Sequence, residues 1–402
     1  MIKRDLYMKK IRPFMNKDVV KVLTGIRRSG KSVMLQLIQD ELIESGVDKK
    51  RMLAINFESN SVDYVKSVDE TYSVIKKLAK DNSETIYLFL DEVQELNGWE
   101  SMVNSCMVDF DIDIYITGSN AKMLSGELAT YLAGRYIEIR MYPFSFSEVC
   151  DILPDNSPKD NFMTYIVRGG MPFIYQNEMD DYNVKQYLDD IYSSIVLKDV
   201  VQRNNVRDIE LFKRIVLYMI SGVGHTLSST NITKYLKSQG RHISTETIYN
   251  YIEYCKAACL FHMVSREDVV GKKLLQFQEK MYMTDHGLRE AIYGNNMRDI
   301  DQILENIIYI ELLRRGYNVN VGKVNRSEVD FVVTKAAERY YIQVSYMLAG
   351  KETVEREFQP LERIADNYPK YVITMDDIDR SRNGIVHVNI IDFLLRDDLF
   401  ER

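Results

Sequence analysis

The sequence is short of the residues that build metal and disulfide frameworks. It holds four cysteines and five histidines in 402 residues. Cys106, Cys150, Cys255 and Cys259 never fall in CxxC spacing, and four cysteines in so long a chain make no disulfide scaffold. Cys255 and Cys259 stand at i, i+4 of an expected helix, the spacing of two small buried side chains rather than of half a zinc site. His225, His242, His262, His286 and His387 are scattered, so structural or surface roles are expected of them, and no Ser/His/Asp or Cys/His constellation stands out. No apolar run approaches the roughly 20 residues that cross a bilayer. The N-terminal stretch MIKRDLYMKKIRPFM is charged and lacks the apolar core of a signal peptide, so a reducing, cytoplasmic location is the expectation. Excess positive charge is also missing. Against 52 Lys and Arg stand 59 Asp and Glu, a net charge of −7, which excludes a uniformly basic nucleic-acid coat and leaves any such contact to a local face.

What is present is the balance of an ordinary folded protein, 46% hydrophobic and 28% charged. At about 150 residues per domain, the length implies two to three domains. Short β-branched or aromatic runs at Val19–Thr24, Met52–Phe57, Ile86–Leu90, Ile112–Thr117 and Tyr136–Ile139 alternate with helical periodicity. That alternation is βαβ logic and predicts a mostly parallel sheet with helices on its faces.

The first run leads into Gly25–Ser32, GIRRSGKS, which satisfies GxxxxGK[ST], and an amphipathic segment starts at Val33. Strand, glycine loop and helix are what phosphate binding requires: glycines let backbone N–H groups curl around an anion, and the helix N-terminus adds positive potential. Gly25, Arg28, Ser29, Gly30, Lys31, Ser32 and Val33 are therefore the candidate ATP-binding residues, with Lys31 bridging the β- and γ-phosphates and the Ser32 hydroxyl on Mg2+. The run Ile86–Glu92, IYLFLDE, ends a strand in two carboxylates; Asp91 suits the Mg2+ shell and Glu92 suits a base for the attacking water. A third strand ends in Thr117-Gly-Ser-Asn120. Asn120 there, or Thr117 or Ser119, is a candidate γ-phosphate sensor, and a turn or helix N-cap is the competing role. Trp99, the sole tryptophan, is expected to pack, and Tyr7 and Pro13 precede the first strand where a segment could cover adenine.

This order of motifs resembles the AAA+ ATPases. More narrowly, GIRRSGKS, LDEVQELNGWE, ITGSNAKMLSGELATYLAGRY, PFSFSE and RGGMP resemble the AAA-14 plus DUF4143 proteins. The resemblance implies an arginine that reaches a neighbouring subunit's γ-phosphate. Arg135 in LAGRY occupies that place, with pairing to helix C-terminal carbonyls as the plainer alternative. A finger there implies a homo-oligomer. Arg168, beside the Gly-Gly-Met-Pro turn, is a weaker second-sensor candidate.

The expected architecture is α/β: a P-loop AAA+ parallel sheet over 1–143, a helical lid or connector over 144–205, a winged helix over 206–292 and a small restriction-endonuclease-like α/β domain over 293–402. In the winged helix, Ser244 caps a helix rich in tyrosine and glutamate, a poor phosphate surface, while Lys272 and Lys273 sit on the wing. The last domain follows the outline of the PD-(D/E)XK nucleases with Glu305 and Asp330, but Gln343 and Ser345 stand where an acid and a lysine are needed, which implies a nuclease fold without nuclease activity. The expected activity is Mg2+-dependent ATP hydrolysis that drives or gates C-terminal domains acting on protein or nucleic acid. The competing readings are an ATP-dependent switch with little turnover and an ATP-regulated nuclease.

Overall fold

A computed structural model describes residues 2–59, 67–120, 132, 134–241, 243–271, 273–396 and 400, with the side chains of 273–278 excepted. The chain divides into two units, Met1–Met141 with Ala257–Cys259, and Tyr142–Lys256 with Leu260–Arg402.

The first unit is built on five strands: β1 Val20–Thr24, β2 Met52–Asn56, β3 Ile86–Asp91, β4 Ile112–Gly118 and β5 Tyr136–Arg140. They lie in the order β2-β3-β4-β1-β5 and every pairing is parallel. Because side chains alternate along a strand, the central strands feed two cores. Val20, Val22, Leu88, Leu90, Ile114 and Ile116 pack on one face with Ile75 of α3 (Val68–Lys80) and with Trp99, Met102, Val103 and Cys106 of α4 (Trp99–Asp109). On the other face Leu23, Tyr87, Phe89 and Tyr115 pack with Tyr7, Met8 and Ile11 of α1 (Asp5–Ile11) and with Met34, Leu35, Ile38 and Leu42 of α2 (Lys31–Glu44). Trp99 and Tyr7 are thus core residues; a ring buried in this way cannot cover an adenine.

One charged pair interrupts the second core. Lys21 and Asp113 are both fully buried and ion-paired across β1 and β4. Asp113 Oδ2 also accepts from Tyr115 Oη at 2.7 Å and from the Asn16 amide at 2.9 Å, and Lys21 Nζ donates to the Val19 carbonyl at 2.9 Å. Burial pulls the lysine pKa down against the pull of Asp113.

The second unit begins with helices, α5 Phe146–Ile152, α6 Pro158–Arg168, α7 Pro172–Gln176 and α8 Asp181–Ser194. The Gly169–Gly170 turn between α6 and α7 is held by buried Asp285, whose Oδ2 accepts the Gly170 amide at 2.8 Å. Next come α9 Ile209–Ser221, β6 Thr226–Leu227, α10 Ser229–Ser238, α11 Thr245–Ala257 and the hairpin β7 Phe261–Asp268 with β8 Lys273–Met283. Ser244 Oγ accepts the Thr247 amide at 3.0 Å, the N-cap expected for α11. The remaining elements are α12 His286–Ile292, α13 Ile300–Arg314, β9 Asn318–Val324, β10 Ser327–Lys335, β11 Glu338–Val344, α14 Lys351–Glu362, β12 Lys370–Thr374, β13 Ile385–Asn389 and α15 Ile390–Leu395.

The hairpin and the last strands share one mixed sheet, in the order β13-β12-β11-β10-β9-β7-β8-β6. The join is the parallel pairing of β7 with β9, from Arg266 opposite Val321 to Asp268 opposite Lys323. Periodicity within each strand carries no trace of this long-range pairing, so two stretches expected as separate domains emerge as one sheet.

Removing one partner of a buried ion pair strands the other charge, which costs about 3–5 kcal/mol. Lys21→Met is expected to lose that much in urea unfolding, and adding Asp113→Asn to recover a large part of it. A double variant as unstable as the single one would show that the charge pairing is not the source of the loss.

Candidate nucleotide site

The site lies at the C-terminal ends of β1, β3 and β4. β1 runs into the glycine loop and α2 leaves it, with Gly30 in the left-handed region as N-cap. Gly25 has φ +145°, and a Cβ there would stand 2.2 Å from the Met141 carbonyl oxygen, so the main chain closes over a space only glycine leaves. Arg28 also takes a positive φ, 66°, and is exposed, as are Ser32 and Val33. Lys31 is buried and folded back on the loop, its Nζ donating to the carbonyls of Gly25 at 3.1 Å and Ile26 at 3.2 Å and lying 3.8 Å from Glu92 Oε1.

β4 lies between β1 and β3, which puts Thr117 between loop and acids. Its hydroxyl donates to Asp91 Oδ1 and accepts the Glu92 amide at 2.9 Å. Asp91 Oδ2 takes a further bond from Asn56 Nδ2 at 2.9 Å, from the end of β2. Burial raises the Asp91 pKa, opposed by hydrogen bonds from Thr117 and Ser32. Glu92 sits in the left-handed region at φ 52°, a conformation costly for a non-glycine residue, and its Oε2 accepts from Gln94 Nε2.

Lys31, Ser32, Asp91 and Glu92 lie together at this end of the sheet. Thr117 is the residue of its strand bonded to both acids, while Asn120 lies past the strand end, half-buried. Arg135 is exposed at the opposite end of the sheet: its carbonyl accepts the Val20 amide at 2.8 Å, at the start of β1, one strand length or roughly 15 Å from the loop. It cannot serve the site of its own chain. Arg168 pairs with Asp181, Nη2 to Oδ1 at 2.6 Å.

Three contributors escape motif reading. Asn56 and Gln94 carry a weak signal, a polar residue closing an apolar strand and an amide two positions beyond Glu92. Arg4 carries none. It is buried, lies over the Tyr7 ring at 4.7 Å and donates through Nη1 to the Ser29 carbonyl at 3.1 Å, bracing the loop from α1.

The donor set suits a nucleotide with a hard divalent cation. A hydroxyl and a carboxylate at the same end of the sheet, Ser32 and Asp91, supply the oxygens that Mg2+ prefers. Ser29 Oγ is buried without a hydrogen-bond partner, over Gly25 at the loop's inner side. Gly25→Ala, which forces a backbone shift costing about 1–3 kcal/mol, is expected to weaken ATP binding by at least about tenfold while leaving far-UV circular dichroism unchanged. Unaltered binding in a fluorescent-nucleotide titration would contradict the loop geometry.

Residues 17–150 match the model of an AAA domain and residues 159–299 that of a domain of unknown function, DUF8612, in place of the DUF4143 expected. An uncharacterized protein of Haemophilus influenzae is 37% identical over 98% of this chain and 99% of its own length. The uncharacterized protein MJ1544 of Methanocaldococcus jannaschii is 31% identical over 94% of this chain and 85% of its own. Among solved structures, Aeropyrum pernix ORC1 in complex with DNA aligns with 74% of this chain and 92% of its own at 13% identity and a TM-score of 0.32. A Thermotoga maritima RuvB mutant aligns with 65% and 87% at 18% identity and the same score. Likeness of that size carries nothing about partner or substrate. The chain belongs to one family with the two full-length relatives, and its N-terminal third is an AAA domain with a P-loop nucleotide-binding fold.

Proposed function

We propose that this chain is a Mg2+-dependent ATPase whose hydrolysis is completed by a second copy of itself and gates the C-terminal unit. The observation that carries the reading is the tie at Thr117, which holds Asp91 and Glu92 in fixed register beside Lys31 and Ser32. Lys31, released from the Gly25 and Ile26 carbonyls, binds the β- and γ-phosphates. Ser32 and Asp91 hold Mg2+, which neutralises phosphate charge when bound. Glu92 orients water and takes its proton. The cation for charge developing on the transferred phosphoryl group comes from Arg135 of a neighbouring copy, because its own copy places it at the wrong end of the sheet.

Downstream, α9, β6, α10, α11 and the β7–β8 hairpin have the order of a winged helix, and α13 with β9–β11 that of a nuclease-like core. The exposed face of α11 presents Glu246, Tyr249 and Asn250, and its one cation, Lys256, is paired with Glu253 at 2.7 Å, which favours a protein partner over a phosphate backbone. Lys272 and the side chain of Lys273 lie outside the described residues.

Glu92→Gln is expected to lower turnover by about 10²–10⁴-fold while ATP still binds. A wild type that binds ATP and never hydrolyses it would sink the proposal. Thr117→Val, losing hydrogen bonds at a charged group worth about 1.5–3 kcal/mol each, is expected to cost at least about tenfold in kcat with little change in KM. The wild-type rate per chain should rise with protein concentration. Arg135→Ala should abolish that rise, and a concentration-independent wild type would refute the shared site.

A further inference from the structure

The second unit holds a buried charge cluster that no nucleotide role accounts for. Lys280, on β8 and nearly fully buried, is ion-paired with Glu305 of α13, lies 2.9 Å from Glu328 Oε1 and 3.8 Å from Asp330 Oδ1 of β10. Tyr282 Oη also donates to Glu305, and Arg266 of β7 reaches Glu328 at 2.7 Å. Asp330 is oriented from behind, its Oδ2 accepting the Val344 amide at 2.8 Å while its own amide donates to Gln343 Oε1 at 3.3 Å. Three carboxylates from two elements thus converge on one ammonium nitrogen, as hard oxygen ligands converge on a divalent ion.

We propose that Lys280 is the resident cation of this cluster, occupying the place of a divalent metal, and that removing its ammonium opens a site for one Mn2+ or Mg2+ held by Glu305, Glu328 and Asp330. Charge balance supports it. Three carboxylates face Lys280 and Arg266, one negative charge too many. A divalent ion in place of the ammonium balances all three carboxylates ionised. The Lys280 ammonium, ion-paired with Glu305 and 2.9 Å from Glu328 Oε1, fills the space between the carboxylates and keeps the site closed. Among the described residues no group of three or more His, Cys, Asp or Glu is set to hold a metal with the lysine in place. The neutral Gln343 and Ser345 are then parts of a site whose cation is built in.

The test is Mn2+ titration of the full chain without nucleotide, read by electron paramagnetic resonance, so that its outcome is independent of the ATPase reading. Wild type and Lys280→Arg are expected to show no Mn2+ site that Asp330→Asn removes. Lys280→Ala should gain one equivalent of bound Mn2+, lost again on adding Asp330→Asn. A wild-type site removed by Asp330→Asn, or a folded Lys280→Ala with no gain, overturns the proposal. If Lys280→Ala is unfolded without metal, recovery of native circular dichroism with Mn2+ supports it and no recovery overturns it.

Discussion

Strand order is the constraint on which the nucleotide unit depends. With β4 inserted between β3 and β1, the glycine loop and the two acids stand two strand spacings apart, about 10 Å, a gap that Lys31 spans from one side. Thr117, next to the end of β4, fixes the acid side with a single hydroxyl that is donor to one acid and acceptor for the amide of the next. Arg135, just before the start of β5, lies at the end of the sheet away from the loop.

Buried charge is handled in both units by pairing. Lys21 with Asp113, Lys31 with Glu92, and Lys280 with its three carboxylates each set an ammonium against carboxylates from a strand or helix distant in sequence. The cost of desolvation makes such contacts weak sources of stability but strict about geometry, since a slipped register would bury a lone charge. In the second unit Lys280 and Arg266, both from the hairpin, fasten it to the α13 and β10 carboxylates while β7 pairs with β9.

Much of the first unit was legible because its signals are local. A phosphate loop needs its glycines and lysine consecutive in the chain, and a buried parallel strand announces itself as an apolar run. The candidate residues Lys31, Ser32, Asp91 and Glu92 followed from such runs, and so did Trp99 as core. The choice among Thr117, Ser119 and Asn120 did not, because which polar group faces an acid depends on strand neighbours rather than on sequence spacing. Glu305 and Asp330 were legible as acids, but the lysine between them lies 25 residues before one and 50 before the other.

By itself the sequence determined the order of helices and strands, the nucleotide loop and the acids that answer it, because these follow from side-chain periodicity and from chemistry within a few consecutive residues. Tertiary structure alone decided that Arg4 braces the loop, that Arg135 faces away from its own site, that one sheet takes in the hairpin and the terminal strands of the second unit, and that Lys280 fills its acidic cluster. Each of those is a contact between segments far apart in the chain, set by strand order and by the need to leave no buried charge unpaired.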